Sequence, residues 1–255
     1  MRSNFHRLIH NKLSIFIVIG FLIIPNIEII QHLIEKYKYG TTYHPAFSFF
    51  LSGSTRGHAL QFLMLWFLPV YYLLIAADTP IQDLETGYKN ILISKIGKKR
   101  YVLQKYIIAF LSSSLSMAAA LLINFSFVYI LFKNSTFMRS LDEIQAKENI
   151  LFSFSIEHPY LAILLFALVA TFLSGLIGVL ASSLSIFFPK RKFAYAAAFF
   201  IWFMFVLKEN SVMYLFQPFA EYGFEVLIPI FIQVVLVLLI IPLAVYYYEV
   251  KYNEN

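Results

Sequence analysis

The sequence contains no cysteine in 255 residues, and charged side chains make up only 13% of it. Disulfides and thiolate metal sites are therefore excluded, and so is the well-charged surface of an ordinary soluble domain. No G-x-x-x-x-G-K-[ST] phosphate loop occurs, so the chain does not cradle ATP phosphates by that route. The six histidines (His6, His10, His32, His44, His58, His158) never form the His-Glu pairing of a zinc hydrolase, so no metal ligand is assigned. Ser112-Ser113-Ser114 and Ser182-Ser183 lack a G-x-S-x-G elbow and read as small helix-packing residues, not nucleophiles. No catalytic or cofactor-binding residue is assigned either.

Apolar residues, by contrast, reach 60%, with 28 Phe and 17 Tyr, and the mean hydropathy is +0.73. Runs of about 20 apolar residues match the roughly 30 Å hydrocarbon core of a bilayer. Six such stretches predict an all-α polytopic membrane protein forming one transmembrane domain over 1–255. The spans are expected at about 13–30, 58–77, 106–132, 160–188, 193–207 and 226–248. The fifth is short, and the apolar stretch that follows it to residue 225 predicts either a broken or re-entrant hairpin or a simple tilted helix followed by a wet loop. Gly175, Gly178 and Ala181 mark the fourth as a close-packing helix. Only Glu28 and Asp78 carry charge at span ends, which argues against an intramembrane proton relay.

Charge asymmetry orients the spans. With the N-terminus inside, only Lys36, Lys38, Arg56, Lys133, Arg139, Lys147 and Lys208 of the 20 Lys/Arg lie outside. The positive-inside rule then places both termini in the cytosol of a cell membrane. Phe5, Leu8, Ile9 and Leu13, interleaved with Arg2 and Arg7, predict an interfacial helix before the first span. No small-x-small cleavage site follows that span, so it is expected to remain uncleaved. The loops 31–56 and 133–158 are longer than a connection requires, and each could hold a short helix. Asn134-Ser135-Thr136 fits a glycosylation sequon but has no secretory context.

The loop after the second span, Asp78 to Lys105, holds six Lys/Arg. Thr79 as cap, Pro80 at the first position and Gln82 three residues after the cap predict a helix start. Asp83 and Glu85 lie in the first turns, where carboxylates suit the helix dipole. Leu84, Tyr88, Ile91 and Leu92 fall on one face, Lys95 lies in the last turn, and Gly97 is expected as a left-handed C-cap. One amphipathic helix over Thr79–Ile96 is the expectation.

The stretch Glu85-Thr86-Gly87-Tyr88-Lys89-Asn90-Ile91-Leu92-Ile93-Ser94, continued by Arg100-Tyr101-Val102-Leu103-Gln104-Lys105, resembles the type-2 ABC exporter permeases. The similarity covers about 25 residues specifically and the six-span layout loosely. Where that family usually has a Pro after the Ser, this chain has Ile96 followed by Gly97. The resemblance implies a division of labour. A separate cytosolic ABC ATPase would bind ATP and Mg and dock on this coupling helix, with Asp83, Glu85, Gly87, Tyr88, Ile91, Arg100 and Lys105 in the contact. Lys190, Arg191 and Lys192 would form a second inner contact. Two permease subunits, identical or sister, would enclose a route for hydrophobic or amphipathic cargo such as peptides, bacteriocins or drugs in a bacterial plasma membrane. The competing expectation is a non-transporting membrane receptor, scaffold or immunity protein that acts by binding. Neither expectation involves nucleic acid.

Overall fold

The computed structural model describes residues 7, 10–40, 44–53, 58–133, 149–219 and 222–252. The expected interfacial residues Phe5, Leu8 and Ile9 and the sequon at 134–136 lie outside these. Among the described residues the chain is helical, with no strand. Four helices are long and apolar enough to cross a membrane: α1 (Lys12–Tyr39), α6 (Lys98–Phe132), α8 (Pro159–Phe187) and α10 (Phe224–Lys251). A bent pair, α2 (Ala59–Trp66) and α3 (Leu68–Tyr72) with a π-turn over Leu73–Ala77, passes the same test as one broken span. Between the π-turn and α6 come α4 (Thr79–Glu85) and α5 (Tyr88–Ile96). The remaining helices are α7 (Ile150–Glu157) and α9 (Arg191–Leu207).

The first helix runs nine residues past the expected end of its span. Hydropathy marks where a chain meets hydrocarbon, whereas helix formation continues through Glu35, Lys36 and Lys38 as far as Gly40, which takes a left-handed φ of 64° and stops it. Asn11 caps the other end, its side chain accepting from the Leu13 N–H at 3.1 Å. Glu28 consequently lies inside a helix, not at its end. It is 2% exposed, with His32 one turn further on at 1%.

α8 occupies the centre, packed against α6, α9, α10, α3 and the π-turn. Its contact with α6 depends on missing side chains. A Cβ on Gly178 would lie 2.7 Å from the Ala109 carbonyl oxygen, and one on Gly175 would strike the Phe110 ring. Ser113 fits opposite Gly178, and Ser116, Ser183 and Ser185 return their hydroxyls to carbonyls on their own helices. Small residues thus bring the two backbones close, as membrane helices require when lipid is as apolar as the interface.

The bend between α2 and α3 is 55°. Pro69 supplies no N–H to the carbonyl four residues earlier, at Leu65. Trp202 of α9 donates its indole N–H to that carbonyl at 2.9 Å.

At the end of the bundle away from the basic segments, two short segments of helical turns pack against it. His44–Gly53, with a helical turn at Pro45–Ser48 and a 3₁₀ turn at Phe50–Ser52, is largely buried. After Lys208 a second 3₁₀ turn, Val212–Phe216, packs against α8, α9 and α10. The short α7 falls within the loop 133–158.

Candidate functional site

The Lys/Arg-rich end of the bundle is crossed by residues 78–97, a strap of two short helices. A single helix was expected there, and the chain breaks it at Thr86-Gly87. The Thr86 hydroxyl donates to the Gln82 carbonyl at 2.8 Å, and Gly87 takes a left-handed φ of 71°. A β-carbon at Gly87 would meet nothing within 4 Å, so the glycine answers to backbone angle and not to a close neighbour. The apolar face Leu84–Leu92 is therefore split between two helices, and α5 buries no residue.

The start of the strap also differs from expectation. Asp78, not Thr79, is the N-cap of α4, and no side chain caps it. The Thr79 hydroxyl instead accepts from the Lys105 ammonium at 3.2 Å. Gly97 has a positive φ of 80° but an extended ψ of 155°, so it turns the chain into α6 without a left-handed cap.

Asp83 is the centre of the site. It is fully buried, with Lys105 Nζ 2.6 Å from Oδ2 and Arg7 Nη1 2.6 Å from Oδ1. The Tyr101 hydroxyl donates to Oδ2 at 3.3 Å. Tyr101 and Lys105 lie four apart on α6, so one helix face presents both. The Arg7 guanidinium also lies over the Tyr88 ring, 5.4 Å from its centroid. A carboxylate placed here without these partners would be costly, and with two cations and a phenol it becomes an anchor.

Two further ties flank it. Arg191, at the start of α9, reaches Asp78 Oδ2 at 3.3 Å and Glu85 Oε2 at 3.0 Å. The Gln82 amide donates to the other Asp78 oxygen at 2.8 Å. Burial pushes the Asp78 carboxyl above its usual range, against the opposing pull of Arg191. On α10, Glu249 pairs with Lys89 at 2.6 Å.

The structure thus divides the residues expected in the coupling contact. Asp83 and Lys105 were expected to be free for a partner, but they face inward and hold the strap. Glu85, Ile91 and Arg100 are exposed and Tyr88 is half-buried; Lys190, Arg191 and Lys192 are all exposed. Sequence reasoning missed Arg7, Asp78, Tyr101 and Glu249 as partners. The Tyr101/Lys105 spacing was the one available signal, since a lysine facing apolar neighbours at a span entry needs a counter-charge. Among the described residues, no group of three or more His, Asp or Glu could hold a metal ion.

An apolar hollow of about 580 Å³ lies between α6 and α8 toward the other end, lined by Phe49, Phe125, Tyr129 and Tyr160 among others.

The chain is 48% identical over 255 residues, the whole of both chains, to a protein of Bacillus subtilis (strain 168) described as "Uncharacterized protein YybM". The chain belongs to the YybM family. No family model matches it, and no solved structure does. What distinguishes this YybM-family chain is therefore read from its own geometry: apolar helices that mark a membrane protein, and a strap tied by ion pairs across one end of them.

Proposed function

We propose that the chain is the membrane-spanning permease subunit of a type-2 ABC exporter, with six spans and both termini in the cytosol of a bacterial cell. The strap carries the proposal. Its buried Asp83 locks α4 to α6 through Lys105, while Arg191 joins α4 to α9 and Lys89 joins α5 to α10 through Glu249. A force applied at the exposed Glu85 and Ile91 or the half-buried Tyr88 therefore reaches α6, α9 and α10 through short, charge-assisted contacts. A surface element that merely fixed orientation would need its lysines but not these ties.

The motor is a separate ABC ATPase that binds ATP and Mg and docks on the strap and on Lys190–Lys192. A second copy or a sister permease completes the route. The apolar, aromatic-lined hollow between α6 and α8 supports hydrophobic or amphipathic cargo such as peptides. Orientation rests on the charge asymmetry.

Solubilising the tagged protein from its native membrane and identifying what co-elutes tests the proposal. An ATPase subunit is the expected partner; elution without one favours a receptor, scaffold or immunity protein. Single cysteines in place of Ser94 and Asn210, both exposed, should label from opposite sides of the membrane.

A further inference from the structure

The segment His44–Gly53 is built of two single helical turns broken at Phe49, yet Ala46, Phe50 and Leu51 are 0% exposed and Ser48 is 1%. Backbone so enclosed needs hydrogen-bond partners. Two side chains from different helices give them to a single residue. Asn124 of α6 accepts the Phe50 N–H on Oδ1 at 3.0 Å, and Gln61 of α2 donates its amide N–H to the Phe50 carbonyl. Asn124 is itself fixed in orientation, because its Nδ2 donates to the Pro25 carbonyl of α1 at 2.8 Å. Asn124 and Gln61 are 0% and 5% exposed, at the end of the bundle opposite the strap.

A pair of amides gripping the N–H and C=O of one residue recognises peptide backbone without regard to its side chain. The apolar enclosure around it adds a preference for an apolar residue, which Phe50 satisfies. The described segment that fills the grip ends at Gly53, at φ 62°, and α1 before it stops at Gly40, at φ 64°. Glycine adopts these left-handed angles without steric cost.

We propose that Asn124 and Gln61 form a peptide-backbone site that the chain's own residues 45–52 occupy as an autoinhibitory cap, and that its ligand is an apolar peptide. The proposal rests on the exporter function above and deepens it: cargo leaving the bundle displaces the cap and takes its two hydrogen bonds. A tethered segment competes at an effective concentration on the order of millimolar, so an added peptide acts in that range.

The absence of native cysteine provides the test. In Ser48→Cys, a membrane-impermeant maleimide applied to native membranes should react slowly with the capped site. A synthetic peptide with the sequence of residues 45–52 and a lysine tail, at millimolar concentration, should raise that rate several-fold. A charged peptide of equal length should not. Gln61→Met keeps the side-chain shape and removes the donor, and it should raise the rate without any peptide. If that variant fails to insert, the response to peptide in the Ser48→Cys background decides alone. A rate that the apolar peptide leaves unchanged overturns the proposal. The labelling requires no ATPase, so a positive response without a co-eluting ATPase would preserve the site and remove the exporter.

Discussion

Trp202 and Leu65 lie in different helices, and the indole N–H of one serves the carbonyl that Pro69 leaves without a partner in the other, at 2.9 Å. The bend between α2 and α3 is thus held from outside by α9. Trp202 is fully buried, so its replacement tests the bond and the packing separately. Trp202→Phe keeps most of the ring and should cost about 1–3 kcal/mol by leaving a buried acceptor unsatisfied. Trp202→Ala should cost about 3–5 kcal/mol through the added cavity. Thermal unfolding in detergent, read by circular dichroism, gives the order of the two.

Asp83→Ala should be among the most damaging single changes at the basic end. It strands the Lys105 ammonium, 2% exposed, and loss of one partner of a buried pair costs about 3–5 kcal/mol. The double variant Asp83→Asn with Lys105→Met removes the stranded charge and should recover much of that loss. No recovery in the unfolding midpoint would mean that Asp83 acts through something other than Lys105.

Glu85→Lys reverses a half-exposed carboxylate whose one described ion-pair partner is Arg191. Exposed pairs contribute at most about 1 kcal/mol, so the variant should insert and unfold like the parent. Its effect should fall on ATPase retention and on cargo-stimulated ATP hydrolysis in the reconstituted complex. Gly87→Val should act on the same readouts and also lower stability, because φ of 71° is strained for a β-branched residue. Unchanged retention and hydrolysis in both would leave the strap as a topological anchor.

Gly178→Val places a branched side chain where even one carbon would approach the Ala109 carbonyl to 2.7 Å. Overpacking at a fixed backbone costs about 1–3 kcal/mol, and more when the neighbour cannot move. A lower unfolding midpoint is expected, while the same change at Gly20, with nothing within 4 Å, should have a much smaller effect.

The raised carboxyl of Asp78 has a consequence for pH. Its folded form holds the proton more tightly than the usual value of 3.8, so its neutral state is the one that folding favours. The associated stability is complete below 3.8 and is lost as pH rises through the raised value. Asp78→Asn lacks that transition. The parent's midpoint minus the variant's should therefore decrease as pH rises from below 3.8 and then level off. A constant difference across that range would place the Asp78 carboxyl in an ordinary, solvated setting.

What the sequence revealed depended on whether a feature is local. The apolar lengths of α1, α6, α8 and α10 and the close approach at Gly175 and Gly178 are properties of single segments, and they were legible. So, in principle, was the break at Gly87, since a glycine just past a helical turn is the common stop signal; the signal was assigned to Gly97 alone. The burial of 44–53 was not legible. Phe47, Phe49 and Phe50 lie between polar stretches, and their enclosure depends on Asn124 and Gln61, many residues away. For the same reason Asp83, on a basic loop, read as a surface contact. Only the fold brings Arg7 and Lys105 to its two oxygens.

The helices differ greatly in length, and the surrounding lipid must respond. α6 has 35 residues and α9 has 17, which correspond to about 52 Å and 26 Å of rise. A bilayer with a hydrocarbon thickness of about 30 Å suits neither without tilt or deformation. In the proposed six-span arrangement, where α9 also crosses the bilayer, lipid meeting the α9 side is drawn thin, while α6 tilts or carries its ends into the headgroups. That arrangement imposes a thickness gradient around the circumference of the bundle, and short-chain lipids should gather on the α9 side.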